Sequence, residues 1–217
     1  MKKKQVFSDT QLENLWTAYN KLVHTYITSN KIKNIDKMFE DISEQMTMSP
    51  CSTRYHGNYM GGLLEHLIDV IGAVIYVRNY FVKMKLDESK LPSIESCVFV
   101  AAFHDLGKIG DVGFDQYVPE TSEWHRKTLN QKYKMSQKVE ALHHSDGSAY
   151  LLAKYNIPMS RSEFQAIISH DGAYHPKNRI REYEHKVELL TRIVREADML
   201  SLIYNNRKYF TDEELRN

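Results

Sequence analysis

The chain has 217 residues, 42% of them apolar, and its 29 Lys and Arg nearly balance its 28 Asp and Glu. That length suits one domain with a real core, and the charge balance excludes a global basic field that would draw the protein onto nucleic acid or anionic membrane. Short polymers stay within reach. Cys51 and Cys97, neither in a CxxC, argue against a disulfide framework or a cysteine-based zinc site. The start MKKKQVFSDTQLENLW is charged but has no apolar run behind it, and no stretch reaches eighteen apolar residues, so a cytoplasmic protein without membrane contact is expected.

Helical periodicity runs through most of the chain. Ser8-Asp9-Thr10 can cap a helix in which Leu12, Leu15, Trp16, Tyr19, Leu22, Val23 and Tyr26 recur at three- and four-residue spacings. Its aromatic stripe reads as core, with a homodimer surface as the alternative. A second helix is expected over 35–46, then a loop in TMSPCSTRYHGNYMGG. A long central helix follows over 62–82, and another over 94–106 with Gly107 placed to end it. Residues 110–135 read as an irregular insertion with room for one short hairpin, and helices return over 136–156, 160–170 and 184–205. Nothing alternates over a strand's length. The fold class is all-α, with one domain over 1–217, a core over about 50–205 and N-terminal helices over 8–48 packed on it.

The stretch VAAFHDLGKIG raises the chemical question, because a buried-looking helix ends in His104-Asp105. A buried carboxylate costs several kcal/mol unless compensated, so the rest of the chain must supply a partner. In GGLLEHLIDVIGAVIYV, the stripe Leu63, Leu67, Val70, Val74 and Val77 flanks a polar wedge of Glu65, His66 and Asp69, continued by Gly72, Ala73 and Tyr76. The wedge is either a solvated side or room for something bulky. In the last helix Val187, Leu190, Val194, Ala197 and Ser201 form the core face, and Asp198 points near it instead of into water. Imidazoles from His66 and His104 with carboxylates from Asp105 and Asp198 suit Mn, Fe, Co, Ni or Zn, and a dication would compensate Asp105. His143, His144 and His170 follow and could serve a second ion. The pair His170-Asp171 is otherwise a chance repeat of the His-Asp dipeptide.

The order His…His-Asp…His…His…Asp, with HDLGK in the middle and EADMLS at the end, resembles the HD superfamily of metal-dependent phosphohydrolases. SPCSTRYHGNYMGGLLEHLIDV is similar to the GGLLEH signature of HD-type 3′ to 5′ exoribonucleases and of relaxase HD domains. HDLGKIGDVGFDQYVPETSEWHRK resembles HD hydrolases encoded by large phages. The resemblance implies that His66, His104, Asp105 and Asp198 hold one metal. Asp105 would bridge to a second ion held by His170 and His144, with His143 as the alternative to His144. Glu65 or Asp69 would orient His66. It implies hydrolysis of a phosphate ester through a metal-activated water, with Asp105 and Lys108 in the catalytic group. Lys108 is either a phosphate contact or a solvated lysine.

Further substrate contacts are sought in Trp124, His125 and Arg126, whose alternative is a surface aromatic against the core, and in Arg54 and His56 at the cleft rim. His175 is a further histidine that could reach the second metal. Lacking an OB-fold module, the chain departs from the exoribonucleases, and a nucleotide or related small phosphate ester is the expected substrate. The alternatives are a 3′ to 5′ exonuclease on short single strands and a non-catalytic, metal-containing nucleotide-binding module.

Overall fold

The computed structural model describes residues 7–139, 142–172 and 187–205. Eight α-helices occur among them: α1 (Asp9–Tyr26), α2 (Lys31–Met48), α3 (Gly62–Lys83), α4 (Ile94–Phe103), α5 (Glu123–Thr128), α6 (His144–Lys154), α7 (Arg161–Ser169) and α8 (Leu189–Asn205). Two 3-10 turns, Glu88–Lys90 and Leu106–Ile109, and four short strands, β1 (Gly110–Asp111), β2 (Phe114–Asp115), β3 (Tyr117–Pro119) and β4 (Tyr133–Met135), complete the described elements. The class is all-α, as the periodicity predicts. No described helix is long and apolar enough to cross a membrane.

α1 starts at a capping box in which the Ser8 hydroxyl accepts from the Gln11 amide and the Gln11 side chain accepts from the Ser8 amide. Its aromatic stripe is spent on the core: Tyr19 is fully buried and donates to the Ala102 carbonyl at 2.9 Å, and Trp16 meets Phe39 edge to face. That packing, on α2, α3 and α4, replaces the dimer surface offered as its alternative. α2 overruns the expected 35–46 at both ends because no breaker interrupts it until Ser49, which Pro50 holds in extended backbone. α3 packs on both α4 and α8, and every residue of α4 from Cys97 to Phe103 is buried.

α4 stops at Phe103, short of the expected Leu106. Asp105 leaves helical geometry (φ −104°, ψ 10°) and the chain tightens into the 3-10 turn. Gly107 does not terminate a helix; it lets α6 approach. A Cβ there would lie 2.1 Å from the His144 carbonyl oxygen and 2.7 Å from the Ser148 amide nitrogen. The Ser148 hydroxyl locks the contact, accepting from the Gly107 amide and facing the His104 carbonyl, both at 2.8 Å.

The insertion is more ordered than its sequence suggests. β1 pairs antiparallel with β2 and β3 with β4, α5 lying between β3 and β4 in the chain. Ladders of two or three residues are too short to show alternation. The helix expected over 136–156 begins only at His144. Residues 136–139 are irregular, held by the Ser136 amide on the Gln116 carbonyl, and 140–141 lie outside the described residues. So do 184–186 of the last predicted helix. The α3 wedge divides: His66 turns inward, whereas Tyr76 is 70% exposed and a Cβ on Gly72 would meet nothing within 4 Å. The small residues there leave room for solvent and not for a ligand.

The two glycines therefore predict opposite outcomes. Gly107→Ala should destabilise by more than about 2 kcal/mol, because backbone on α6 must move. Gly72→Ala should be neutral or stabilise by up to about 1 kcal/mol through helix propensity. Urea unfolding of the two variants measures both; equal effects would contradict the packing described.

Candidate metal centre

Five helix ends or faces converge on one carboxylate. His66 comes from the second turn of α3, His104 and Asp105 from the end of α4, His144 from the start of α6, His170 from just beyond α7, and Asp198 from α8. Asp105 Oδ2 lies 3.3 Å from His66 Nε2 and 3.5 Å from His104 Nε2. Its other oxygen, Oδ1, lies 3.3 Å from His144 Nε2 and 3.4 Å from His170 Nε2. Asp198 Oδ1 closes the first half at 3.3 Å from His66 Nε2.

Three imidazoles are oriented from behind. His104 Nδ1 meets the Ala101 carbonyl at 2.9 Å and His170 Nδ1 the Ile167 carbonyl at 2.7 Å, so each ring donates to the backbone of the helix it ends. His66 Nδ1 faces the Ser201 hydroxyl at 3.4 Å, and that hydroxyl donates to the Asp198 carbonyl. Ser201 thus stands behind His66, and Glu65, one of the two residues expected there, instead accepts from the Tyr59 hydroxyl. With protons fixed on Nδ1, the Nε2 lone pairs point inward, the tautomer a metal-binding histidine requires.

His66 Nε2, His104 Nε2, Asp105 Oδ1 and Asp171 Oδ2 are buried without a hydrogen-bond partner. Each such orphan costs about 1–3 kcal/mol, and four around one centre point to a cation as the common partner. His66, His104 and Asp105 form one group whose ligand atoms lie within 4.8 Å of one another, and Asp105, His144 and His170 form another. Either nitrogen-and-oxygen set fits a divalent transition metal.

The charges respond to this crowding. Burial alone would raise the Asp105 carboxyl, but the Lys108 ammonium 2.5 Å from Oδ2, with His104 and the other imidazoles, holds it well below the usual range. Lys108 is not the solvated lysine of the alternative reading: its side chain is 12% exposed, and Asp105 outweighs burial to raise its pKa. Burial pushes His104 and His56 down to about 4, with neighbouring positive groups adding to the shift at His56. Burial opposes protonation of His170 too, but the Asp105 and Asp171 carboxylates overcome it and lift that ring to about 9.

His144 faces Asp105, whereas His143 precedes α6 with Nδ1 2.8 Å from the Ser145 hydroxyl and 3.8 Å from Asp171 Oδ2. Asp171, read from sequence as incidental, sits 3.3 Å from His144 Nε2 and 3.6 Å from His170 Nε2. Its signal was available: AIISHD repeats the pattern of VAAFHD, an apolar helical run ending in His-Asp. Arg195, placed away from the core face, reaches back to donate from Nε and Nη2 to the Ser169 carbonyl at 3.0 and 2.7 Å, and so holds the end of α7.

The residues meet in a cleft of about 300 Å³ lined by His56, Lys108, Arg195 and the converging carboxylates. Arg54, Trp124, His125 and Arg126 do not line it. Arg54 stacks on Tyr55, Trp124 is 60% exposed on α5, and His125 lies 3.2 Å from Glu120. His175 lies outside the described residues.

These shifts predict how the metal-free fold responds to pH. His56 and His104, depressed to about 4, bind fewer protons folded than unfolded, so stability falls as pH drops from about 6.5 to 4. His170, raised to about 9, binds more, so its contribution fades as pH climbs from about 6.5 to 9. Thermal unfolding of chelator-treated protein should show a maximum near pH 6.5, and a divalent metal should remove the alkaline decline by replacing the His170 proton. Stability rising steadily through pH 9 without metal would contradict it.

Comparison with known proteins gives one result. The family described as Cas3, HD domain, matches residues 52–212, a span holding every converging histidine and carboxylate. No curated protein and no solved structure matches the chain. A match over most of the chain, on the helical fold and ordered ligands just described, makes this protein a member of the Cas3 HD-domain family and an HD-superfamily metal-dependent hydrolase.

Proposed function

We propose that the protein is a two-metal phosphohydrolase acting on a nucleotide or a related small phosphate ester. One observation carries the reading: the two oxygens of Asp105 face two different histidine pairs, at 3.3 and 3.5 Å on one side and 3.3 and 3.4 Å on the other. A carboxylate so placed is suited to bridge two ions. His66, His104, Asp105 and Asp198 would hold the first, and Asp105, His144 and His170, joined by Asp171, the second. When bound, such ions lower the pKa of water and neutralise charge on phosphate oxygens.

The protein's own groups prepare that chemistry. Lys108 keeps Asp105 ionised, and the backbone carbonyls behind His104 and His170 hold a proton on each Nδ1 and turn Nε2 inward, where at His170 an ion would take the place of the Nε2 proton. Among the described lining residues, Lys108 and Arg195 are the cations that face an incoming phosphate. Two cations in a cleft of about 300 Å³ favour a substrate with few phosphates over a strand that needs one contact per nucleotide.

Because the proposed donors are rich in imidazole, Mn, Fe, Co or Ni should support turnover better than Mg, which prefers oxygen ligands. Asp105→Ala should lose metal and at least about 10³-fold in activity, since the ions supply several kcal/mol of transition-state stabilisation. Elemental analysis and a metal-supplemented hydrolysis screen read both. A metal-free wild type active in Mg alone would sink the reading.

Salt dependence separates the substrate classes. A single-strand exonuclease should lose about 0.7 log unit of affinity per log unit of salt for every phosphate it neutralises. A nucleotide held by Lys108, Arg195 and the metals should show a shallow slope. Measuring kcat/KM for nucleotides and short oligomers from low to moderate salt decides: cleavage of oligomers alone, with a slope reporting four or more phosphates, favours the exonuclease.

A further inference from the structure

Cys51 sits in the loop before α3, where the sequence offers no cysteine-based metal site, yet the fold surrounds it with ligands. It is fully buried, and its Sγ lies 3.4 Å from Nε2 of His56, a residue lining the cleft. His66 brings a ligand atom within 4.8 Å of both, and its Nε2 is buried without a hydrogen-bond partner. Tetrahedral coordination with metal–sulfur and metal–nitrogen distances of about 2.3 and 2.0 Å spaces sulfur and nitrogen about 3.5 Å apart. The Cys51–His56 separation matches that spacing.

We propose that Cys51, His56 and His66 form a thiophilic metal site that captures Zn²⁺ or Cd²⁺ and withdraws His66 from the centre around Asp105. This rests on the metal-centre reading through His66 alone. One Nε2 lone pair serves one ion, so occupancy of the two positions is exclusive. On capture the Cys51 S–H bond gives its proton to solvent, the sulfur keeps the electron pair and donates it to the ion, and the cleft supplies the remaining position. Thiolate selects the softer Zn²⁺ and Cd²⁺ over the harder Mn²⁺ and Mg²⁺. Lys108 sits with Nζ 2.5 Å from Asp105 Oδ2 and 3.5 Å from Cys51 Sγ, so it neutralises Asp105 when the first ion leaves and offsets part of the burial that pushes the Cys51 thiol up to about 12; the metal–sulfur bond supplies the rest. The consequence is a protein poisoned by soft metals.

The test titrates chelator-stripped full-length protein with Co²⁺ and with Cd²⁺ and follows the near-ultraviolet thiolate-to-metal charge-transfer band. Wild type should develop the band, Cys51→Ser and His56→Gln should lose or weaken it, and Cys97→Ser should keep it. In protein preloaded with Mn²⁺, Cd²⁺ should release manganese, and Cys51→Ser should need about tenfold more. Cobalt bound with visible ligand-field bands but no thiolate band would overturn the site and leave the Asp105 centre standing. A thiolate band persisting in Cys51→Ser overturns it as well. Absence of cobalt binding altogether removes both readings.

Discussion

A buried carboxylate surrounded by imidazoles is the constraint on which this structure turns. Asp105 is about as far from water as Phe103 two residues earlier, and an uncompensated charge there would cost more than the marginal stability of a domain allows. Lys108 supplies one unit of compensation at 2.5 Å. Asp105 Oδ1 and the Nε2 atoms of His66 and His104 are buried there without a hydrogen-bond partner. The surrounding helices hold that arrangement in place, and a divalent cation is what it is built to receive.

The holding is done by ordinary backbone groups. Two of the imidazoles donate to carbonyls three residues earlier, where helices α4 and α7 run out of intrahelical partners. A third leans on Ser201, whose own proton is taken by the Asp198 carbonyl, so the two α8 positions of the centre are fixed together. Ser148 and the bare Cα of Gly107 bring α6 down onto the turn after Asp105, which carries His144 to the opposite oxygen. Arg195 clamps the end of α7 from α8 and so ties His170 and Asp171 to the helix that carries Asp198.

This economy explains why the cleft is small and poor in cations. Its charge is arranged around the metals, and the exposed aromatics of the insertion lie outside it. Membership of the Cas3 HD-domain family fixes the chemistry as metal-dependent hydrolysis. The proposed preference for a small substrate rests on the size of the cleft and the two cations that line it.

The sequence by itself determined the helices and the ordered His and Asp positions, because burial of one helix face leaves a periodic record and a charged pair ending an apolar run has few explanations. Leu12, Tyr19 and Val23 on α1, and Val187, Leu190, Val194, Ala197 and Ser201 at and along α8, are buried as their spacing implies. What only the tertiary structure decided depends on contacts between residues far apart in the chain. Gly107 looks like a helix stop until α6 is seen against it, and Ser136, expected in that helix, instead bonds through its amide to the Gln116 carbonyl. Ser201, far from His66 in the chain, faces it because α8 lies against α3. Asp171 and Cys51 gain their surroundings in the same way. A side chain's periodicity tells which way it points, but its partner across a helix interface is set by packing, which one sequence does not record.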